Sequence, residues 1–109
     1  KRLIEDIPVV GPEHLIPLKA RAWIDLTRRR EAGESIDTAS ISKHKNDVFR
    51  LYRVLDPAFN TDIPKGIRDD MGAFLDAMAS ERVDLKNLGI KGQGLDSILG
   101  ELRRIYVHD

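Results

Sequence analysis

The chain has 109 residues, of which 41% are hydrophobic and 33% charged, and its 18 basic residues balance its 18 acidic ones. This length fits one domain with a modest core, and a net charge of zero provides no bulk attraction to nucleic acid or a membrane surface. The sequence has no cysteine, which excludes disulfides and thiolate metal sites, and no apolar run approaches the roughly 20 residues of a membrane span. We therefore expect a cytoplasmic protein with no membrane partner.

The first ten residues are rich in aliphatic and β-branched side chains and end at a Gly-Pro pair, which predicts a short strand followed by a turn. A single strand needs a partner, and none is evident in the helical sequence that follows. Because the chain also begins with Lys1 and not with Met, we expect it to be a fragment.

The rest of the sequence predicts a mainly α fold, with four or five helices in a small bundle. The first helix is expected from about Glu13 to Arg30, with Pro17 absorbed in its first turns and Gly33 as its stop. Apolar residues repeat at intervals of three and four along it, as in an amphipathic helix. The main stripe is Leu15, Leu18, Ala22 and Leu26, widened by Ile16, Ala20 and Trp23.

The second helix, Ile41 to Leu55, has the most informative polar face. Its N-cap candidates are Asp37, Thr38 and Ser40, and its apolar stripe is Ile41, Val48, Leu51, Tyr52 and Leu55. Lys43, Asp47 and Arg50 stand at i, i+4 and i+7, so they share another face of the same helix. This face is the best candidate for chemistry in the chain, and we expect His44 beside it to be exposed.

Two further helices complete the prediction. One follows a Thr61 or Asp62 cap and Pro64 and continues to about Ser80. After one short turn at residues 84–88 comes the glycine-rich break Gly89–Gly94, and then a final helix whose apolar positions recur at helical spacing. These positions are Leu95, Ile98, Leu99, Leu102, Ile105 and Tyr106.

Two segments resemble motifs of a known family. The run Pro-Glu-His-Leu-Ile-Pro-Leu-Lys-Ala-Arg-Ala, which contains Lys19, is similar to the third motif, Lys-x-x-Ala, of the AbiEii/AbiGii-type nucleotidyltransferases. The run Lys43-His-Lys-Asn-Asp-Val-Phe-Arg-Leu51 resembles their fourth motif, which has a basic residue, Lys-Asp, a second acid and Leu. These bacterial enzymes are the toxins of one class of toxin–antitoxin systems. The resemblance covers roughly residues 7–55. It implies that the chain is the C-terminal half of a larger α/β nucleotidyltransferase, in which residues 1–55 end the motif-bearing region and residues 56–109 form the C-terminal helical part.

The sequence departs from the family pattern in several places. Asn46 stands where the family usually has Lys, and Arg50 stands where it usually has the second Asp, whereas Asp47 is retained. The first two family motifs, a Gly-Ser turn and a magnesium-binding Asp-x-Asp pair, do not occur in these 109 residues. Nucleotidyl transfer requires a divalent metal on the triphosphate and hard oxygen ligands to hold it. We therefore expect the chain by itself to be catalytically incomplete.

The resemblance implies a division of roles among the remaining residues. Asp47 is the expected catalytic residue, and Lys19, Lys43 and Lys45 are the expected nucleotide-binding residues; none of the four is assigned a metal. Mg²⁺ and a nucleoside triphosphate would be the cofactor and substrate of the complete enzyme, with neither expected on this chain alone. The implied partners are an N-terminal catalytic half or a cognate antitoxin, and the implied acceptor is an RNA, such as a tRNA, or a protein.

Other interpretations remain open from sequence alone. Lysine at position 19 is also typical of a solvated helix face, and Lys43 with Asp47 is typical of a surface ion pair. The Gly89–Gly94 segment distantly resembles a helix-hairpin-helix turn, although a helix cap and loop is the simpler interpretation. The alternative function is therefore a non-catalytic helical module that binds protein or nucleic acid through this turn. The basic tract Arg28–Arg30 indicates a solvated helix end.

Overall fold

The computed structural model describes residues 11–55 and 63–107, and these residues form four helices. In chain order the helices are α1 (Pro12–Glu31), α2 (Thr38–Tyr52), α3 (Lys65–Met78) and α4 (Leu95–Tyr106). The predicted mainly α fold, a small helical bundle, is confirmed. The predicted N-terminal strand falls on residues 1–10, outside the described residues.

Helix α1 begins at a proline and ends in a basic turn, as its sequence predicts. Pro12 occupies the first helical position, where its missing N–H costs nothing, and Glu13 lies near the positive end of the helix dipole. After the last turn the chain reverses at Gly33, whose φ of 102° is a left-handed conformation that favours glycine. The observed helix is one residue longer at each end than the predicted range of 13–30.

The buried face of α1 is rotated relative to the predicted main stripe. Ile16, Ala20 and Trp23 are buried, whereas Leu18 is 51% exposed. The prediction placed Leu18 in the main stripe and the buried residues at its edge, and this was wrong. Two adjacent stripes compete on this helix, and its packing against both α2 and α3 decides which one is buried.

Helix α2 begins three residues earlier than predicted. Asp37 is its N-cap, since the side-chain oxygen Oδ1 accepts a hydrogen bond from the Ala39 N–H at 3.3 Å. The helix ends at Tyr52, and the chain continues in a turn to Leu55, which is buried. Phe49 is fully buried although the predicted stripe omitted it.

Helix α3 starts after Pro64, and α4 starts at the predicted residue. The proposed caps Thr61 and Asp62 lie outside the described part of the chain, and α3 ends at Met78, two residues before the predicted end. Residues 85–89 form a turn and not a helix. In α4 five of the six predicted apolar positions are buried, and Leu95 packs partly against the core.

The four helices enclose one hydrophobic core. Helix α1 packs against both α2 and α3, and α3 also packs against α4. Trp23 and Phe74 meet edge to face at the centre, with ring centroids 5.5 Å apart. Because α1 is central, side chains at the edge of its buried face lie against α2, and the candidate site forms there. Among the described helices, none combines the length and the apolar character needed to cross a membrane.

Candidate phosphate-binding cluster

The structure brings together the two side chains that carry the family resemblance. Lys19 directly precedes the buried Ala20 on α1, and Asp47 directly precedes the buried Val48 on α2. Packing of the two helices through these buried neighbours places both polar side chains at the edge of the interface. Lys19 Nζ lies 3.1 Å from Asp47 Oδ2.

Asp47 is held by two cations from different helices. Lys19 contacts Oδ2 from α1, and Arg50 Nη1 lies 3.4 Å from Oδ1 within α2. The side chains of Lys19 and Asp47 are only 29% and 18% exposed, so this pair is better shielded from water than a typical surface ion pair. Arg50, which replaces the usual second acid of the family motif, is 55% exposed and acts here as a partner of Asp47.

Lys43 does not pair with Asp47, although it stands four residues before it. Its side chain is exposed, and among the described residues no ion pair joins it to Asp47. The surface pair considered from sequence is therefore not formed, because Asp47 turns toward Lys19 and Arg50. Lys43 remains on the same side of α2 and adds positive charge there.

Lys45 lies apart from the phosphate-binding cluster, which consists of Lys19, Lys43, Asp47 and Arg50. Its Nζ contacts Glu81 Oε1 and donates to the Arg82 backbone oxygen, both at 3.1 Å. This contact ties α2 to the segment after α3, and the Lys45 side chain is only 14% exposed. Of the four predicted site residues, the structure thus places Lys19, Lys43 and Asp47 on one side of the molecule and gives Lys45 a separate partner.

His44 is half-buried, so the prediction that it is exposed was wrong. Burial lowers the pKa of its imidazole, the positive charges of Lys19 and Lys43 lower it further, and only Asp47 opposes them. Its Nδ1 atom is buried and has no hydrogen-bond partner among the described residues. We therefore assign a neutral imidazole to this position at pH 7.

The cluster carries an excess of positive charge. Lys19, Lys43 and Arg50 contribute three cations against the single carboxylate of Asp47, which leaves an excess of two positive charges. A polyphosphate is attracted to such a surface, and an ammonium group with three donors can bind a phosphate oxygen while it remains paired to a carboxylate. None of these four residues lines the three cavities near Gly89, Thr27 and Leu18.

The described residues do not fit the magnesium ion that the family resemblance implies. Mg²⁺ prefers carboxylates with open coordination positions, and the one carboxylate of this cluster is engaged by Lys19 and Arg50. Within residues 11–55 and 63–107, no three His, Asp or Glu side chains are grouped closely enough to hold a metal ion. No chemical step through a metal is assigned to these residues.

Gly89 ends the turn at residues 85–89, and residues 90–94 form a loop before α4. The Ile90 N–H donates to the Leu85 oxygen at 2.9 Å, and the Gly89 N–H donates to the Lys86 oxygen at 3.1 Å. Gly89 and Gly92 have φ values of 83° and 76°. The loop of the simpler sequence interpretation is present, but the segment that it follows is a short turn and not the expected helix end.

The basic tract at the end of α1 is engaged in local contacts. Arg29 pairs with Asp25 at 3.5 Å and with Glu34 at 3.0 Å, and Arg30 donates to Thr38 at 3.4 Å. Hydrogen bonding to Arg29 lowers the pKa of the Glu34 carboxyl. These contacts agree with a solvated helix end.

Three other concave regions lie outside the cluster. The largest, about 550 Å³, lies between the end of α1, the start of α2 and the end of α3, and Lys45 and Thr27 line it. An apolar one of about 310 Å³ lies beside Leu18 and Ile63, and a third of about 380 Å³ lies beside Gly89. These cavities could not be predicted from the sequence, because each is lined by residues that are distant in the chain.

Comparison with known proteins adds no relative: no protein-family model, curated protein or solved structure matches this chain.

Proposed function

We propose that this chain supplies the phosphate-binding part of a nucleotidyltransferase similar to the AbiEii/AbiGii type. In this proposal Lys19 binds a phosphate oxygen of a nucleoside triphosphate, and Asp47 orients the lysine. The observation that carries the proposal is the contact of 3.1 Å between Lys19 and Asp47, which joins the two motif-bearing helices. The two residues that match the family motifs are thus in direct contact, although 28 positions separate them in the sequence.

The expected role of the cluster is electrostatic. In nucleotidyl transfer an acceptor hydroxyl oxygen attacks the α-phosphorus and releases its proton to water, while the bond to pyrophosphate breaks and the leaving pyrophosphate takes the electron pair. Fixed cations near the phosphates stabilise the charge that develops. Lys19 is suited to this task because Asp47 restricts its side chain, while Arg50 and Lys43 add positive charge around it.

The remaining parts of the reaction stay proposals that follow from the resemblance. The metal-binding carboxylates would come from an N-terminal catalytic half, and the acceptor would be an RNA, such as a tRNA, or a protein. A cognate antitoxin is a further proposed partner. Cations already engage both oxygens of Asp47. Its proposed role is therefore one of positioning, either of Lys19 or of the attacking hydroxyl.

The proposal is tested by titrating the chain with a fluorescently labelled ATP analogue and following fluorescence anisotropy. Lys19→Ala should weaken binding by about 10-fold or more, because a charge-assisted hydrogen bond of about 1.5–3 kcal/mol is lost. The matched control is Lys65→Ala. Lys65 is also a helical lysine paired with an aspartate, at 3.0 Å from Asp69, but its side chain is 78% exposed. This control should leave the affinity unchanged.

Equal affinities of the wild type and Lys19→Ala would contradict the proposal. Binding that survives Lys19→Ala but is lost in Lys91→Ala would instead favour the alternative function, a helical module that binds through the Gly89–Gly94 turn. Equal losses in Lys19→Ala and Lys65→Ala would mean that the analogue responds to overall charge and not to a site.

A further inference from the structure

A concave site, separate from the phosphate-binding cluster, lies beside the glycine-rich turn. It encloses about 380 Å³ between the C-terminal end of α2, the turn and α4. None of the residues of the phosphate-binding cluster lines it. Its volume is at the lower end of the range of small-molecule sites in proteins.

The floor of this cavity is apolar. Leu55, Ile90 and Ile105 line it, and all three belong to the buried core, with exposed fractions of 8% or less. An apolar group that rests on these side chains would leave water for a largely hydrophobic surface. The floor therefore favours a ligand with an apolar part.

The rim carries two cations, Arg53 and Lys91. Both are exposed, and within the described part of the chain neither has a hydrogen-bond or ion-pair partner. The guanidinium of Arg53 lies directly over Gly89: a Cβ atom built at Gly89 would be 2.8 Å from Arg53 Cζ. The missing side chain and the left-handed backbone of Gly89 thus allow Arg53 to lie at the rim.

Among the described residues that line the cavity, the one acidic residue, Glu101, is already engaged. Glu101 accepts hydrogen bonds from Arg104 Nε at 3.2 Å and from Arg104 Nη2 at 3.0 Å. This hydrogen bonding lowers the pKa of the Glu101 carboxyl, so the group is ionised and paired at neutral pH. Arg53 and Lys91 consequently give the rim a positive character that Glu101 does not cancel.

The wall opposite the rim is fixed by hydrogen bonds between side chains. Gln93 Nε2 donates to the Tyr52 hydroxyl at 2.8 Å and to the Ser97 hydroxyl at 3.0 Å. Residue 93 in the loop is thereby attached to both α2 and α4. A concave surface fixed in this way needs less ordering when a ligand binds.

We propose that this cavity binds a small amphipathic anion, an aryl or acyl phosphate or carboxylate. Its anionic group would lie between Arg53 and Lys91, and its apolar group would rest on Ile90, Leu55 and Ile105. A nucleic-acid strand fits the cavity less well. Among the described residues that line it, Tyr52 is the only aromatic one, and its hydroxyl is bound to Gln93, so these residues offer successive bases no stacking platform.

The test is a titration of the ¹⁵N-labelled chain with phenyl phosphate, followed by amide NMR shifts. Saturable shifts should centre on Gly89, Ile90 and Gln93. Arg53→Gln and Lys91→Gln should each weaken binding by about fivefold or more, since each removes one charged contact. The control is Lys86→Gln, which removes a cation in the preceding turn that does not line the cavity. Its affinity should equal that of the wild type.

Two companion titrations test whether the ligand needs both an apolar group and a negative charge. Inorganic phosphate, which lacks the apolar group, and phenol, which lacks the charge, should both bind much more weakly than phenyl phosphate. Equal binding of either compound would overturn the proposal, as would shifts that centre on Lys19 and Asp47 or an absence of saturation. A single-stranded RNA oligonucleotide that shifts these amides when phenyl phosphate does not would also overturn it.

Discussion

Asp47 is the residue on which the candidate site depends, because it accepts from cations on two helices. Its Oδ2 faces Lys19 of α1 and its Oδ1 faces Arg50 of its own helix. The Lys19 contact is partly shielded from water, which strengthens the attraction and also makes an unpaired partner costly. The same contact thus contributes to both helix packing and the proposed orientation of Lys19.

Replacement of this carboxylate should destabilise the fold measurably. Asp47→Asn keeps the shape but removes the charge, and it leaves the Lys19 ammonium half-buried without its ion pair. We expect a loss of about 1 kcal/mol in the free energy of unfolding, measured by urea denaturation. Asp69→Asn, which breaks an exposed pair with Lys65, should change stability by less than about 0.5 kcal/mol. Equal effects of the two substitutions would show that the Lys19 contact has no special stability.

His44 should make stability depend on pH in a defined direction. Its folded-state pKa is lowered below the unfolded value of about 6.5, so the folded chain disfavours the protonated imidazole. The stability associated with neutral His44 is present above pH 6.5 and is lost as the pH falls through the lower folded-state pKa. Between pH 7 and pH 5, the free energy of unfolding of the wild type should therefore fall by more than that of His44→Gln. Denaturation of both proteins at the two pH values measures this difference. A difference in unfolding free energy between the wild type and His44→Gln that is the same at both pH values would contradict the lowered pKa of His44.

Helix α1 contains an internal proline, Pro17, and a side chain of α4 supplies the hydrogen bond that this proline cannot make. Pro17 has no N–H to donate to the Glu13 carbonyl, the acceptor four residues earlier in the helix. The Tyr106 hydroxyl donates to this carbonyl at 2.8 Å and thus supplies the missing hydrogen bond. Tyr106 is 1% exposed, and burial raises its pKa far above the ordinary value, so the hydroxyl stays protonated as the donor.

A double-mutant cycle tests this relation between the two helices. Tyr106→Phe should lower the free energy of unfolding by about 1–2 kcal/mol, because a buried carbonyl loses its donor. In a Pro17→Ala background the alanine N–H can serve that carbonyl, so the same substitution should cost about half as much or less. Thermal denaturation of the four variants gives the coupling. Additive effects would refute the view that Tyr106 replaces the hydrogen bond that Pro17 lacks.

Taken as a whole, the molecule shows which features the sequence could predict. The apolar periodicity of α4 was sufficient to predict its buried face, since its apolar residues form a single stripe that packs against one side of the bundle. In α1 two stripes compete, and only the arrangement of α2 and α3 explains why Ile16 is buried and Leu18 is exposed. Secondary-structure patterns carry no information about such tertiary choices.

The candidate site was predictable to a similar extent. The motif spacing placed Lys19 and Asp47 on adjacent helices, and the structure joins them directly. Lys45 was grouped with them because it is basic and nearby in sequence, but Glu81 lies opposite it in the fold. Neither the contact of Lys45 with Glu81 nor the position of Arg53 over Gly89 is encoded in a local sequence pattern, because each pair is more than 30 residues apart.

We propose that Lys19 and Asp47 belong to one phosphate-binding site. The most direct test of this proposal is to titrate the ¹⁵N-labelled chain with ATP and to map the amide shifts onto the molecule. If this proposal holds, saturable shifts should centre on Lys19, His44 and Asp47 and should vanish in Lys19→Ala. Saturable shifts confined to Gly89–Gly94, or the same shifts in Lys19→Ala as in the wild type, would contradict it.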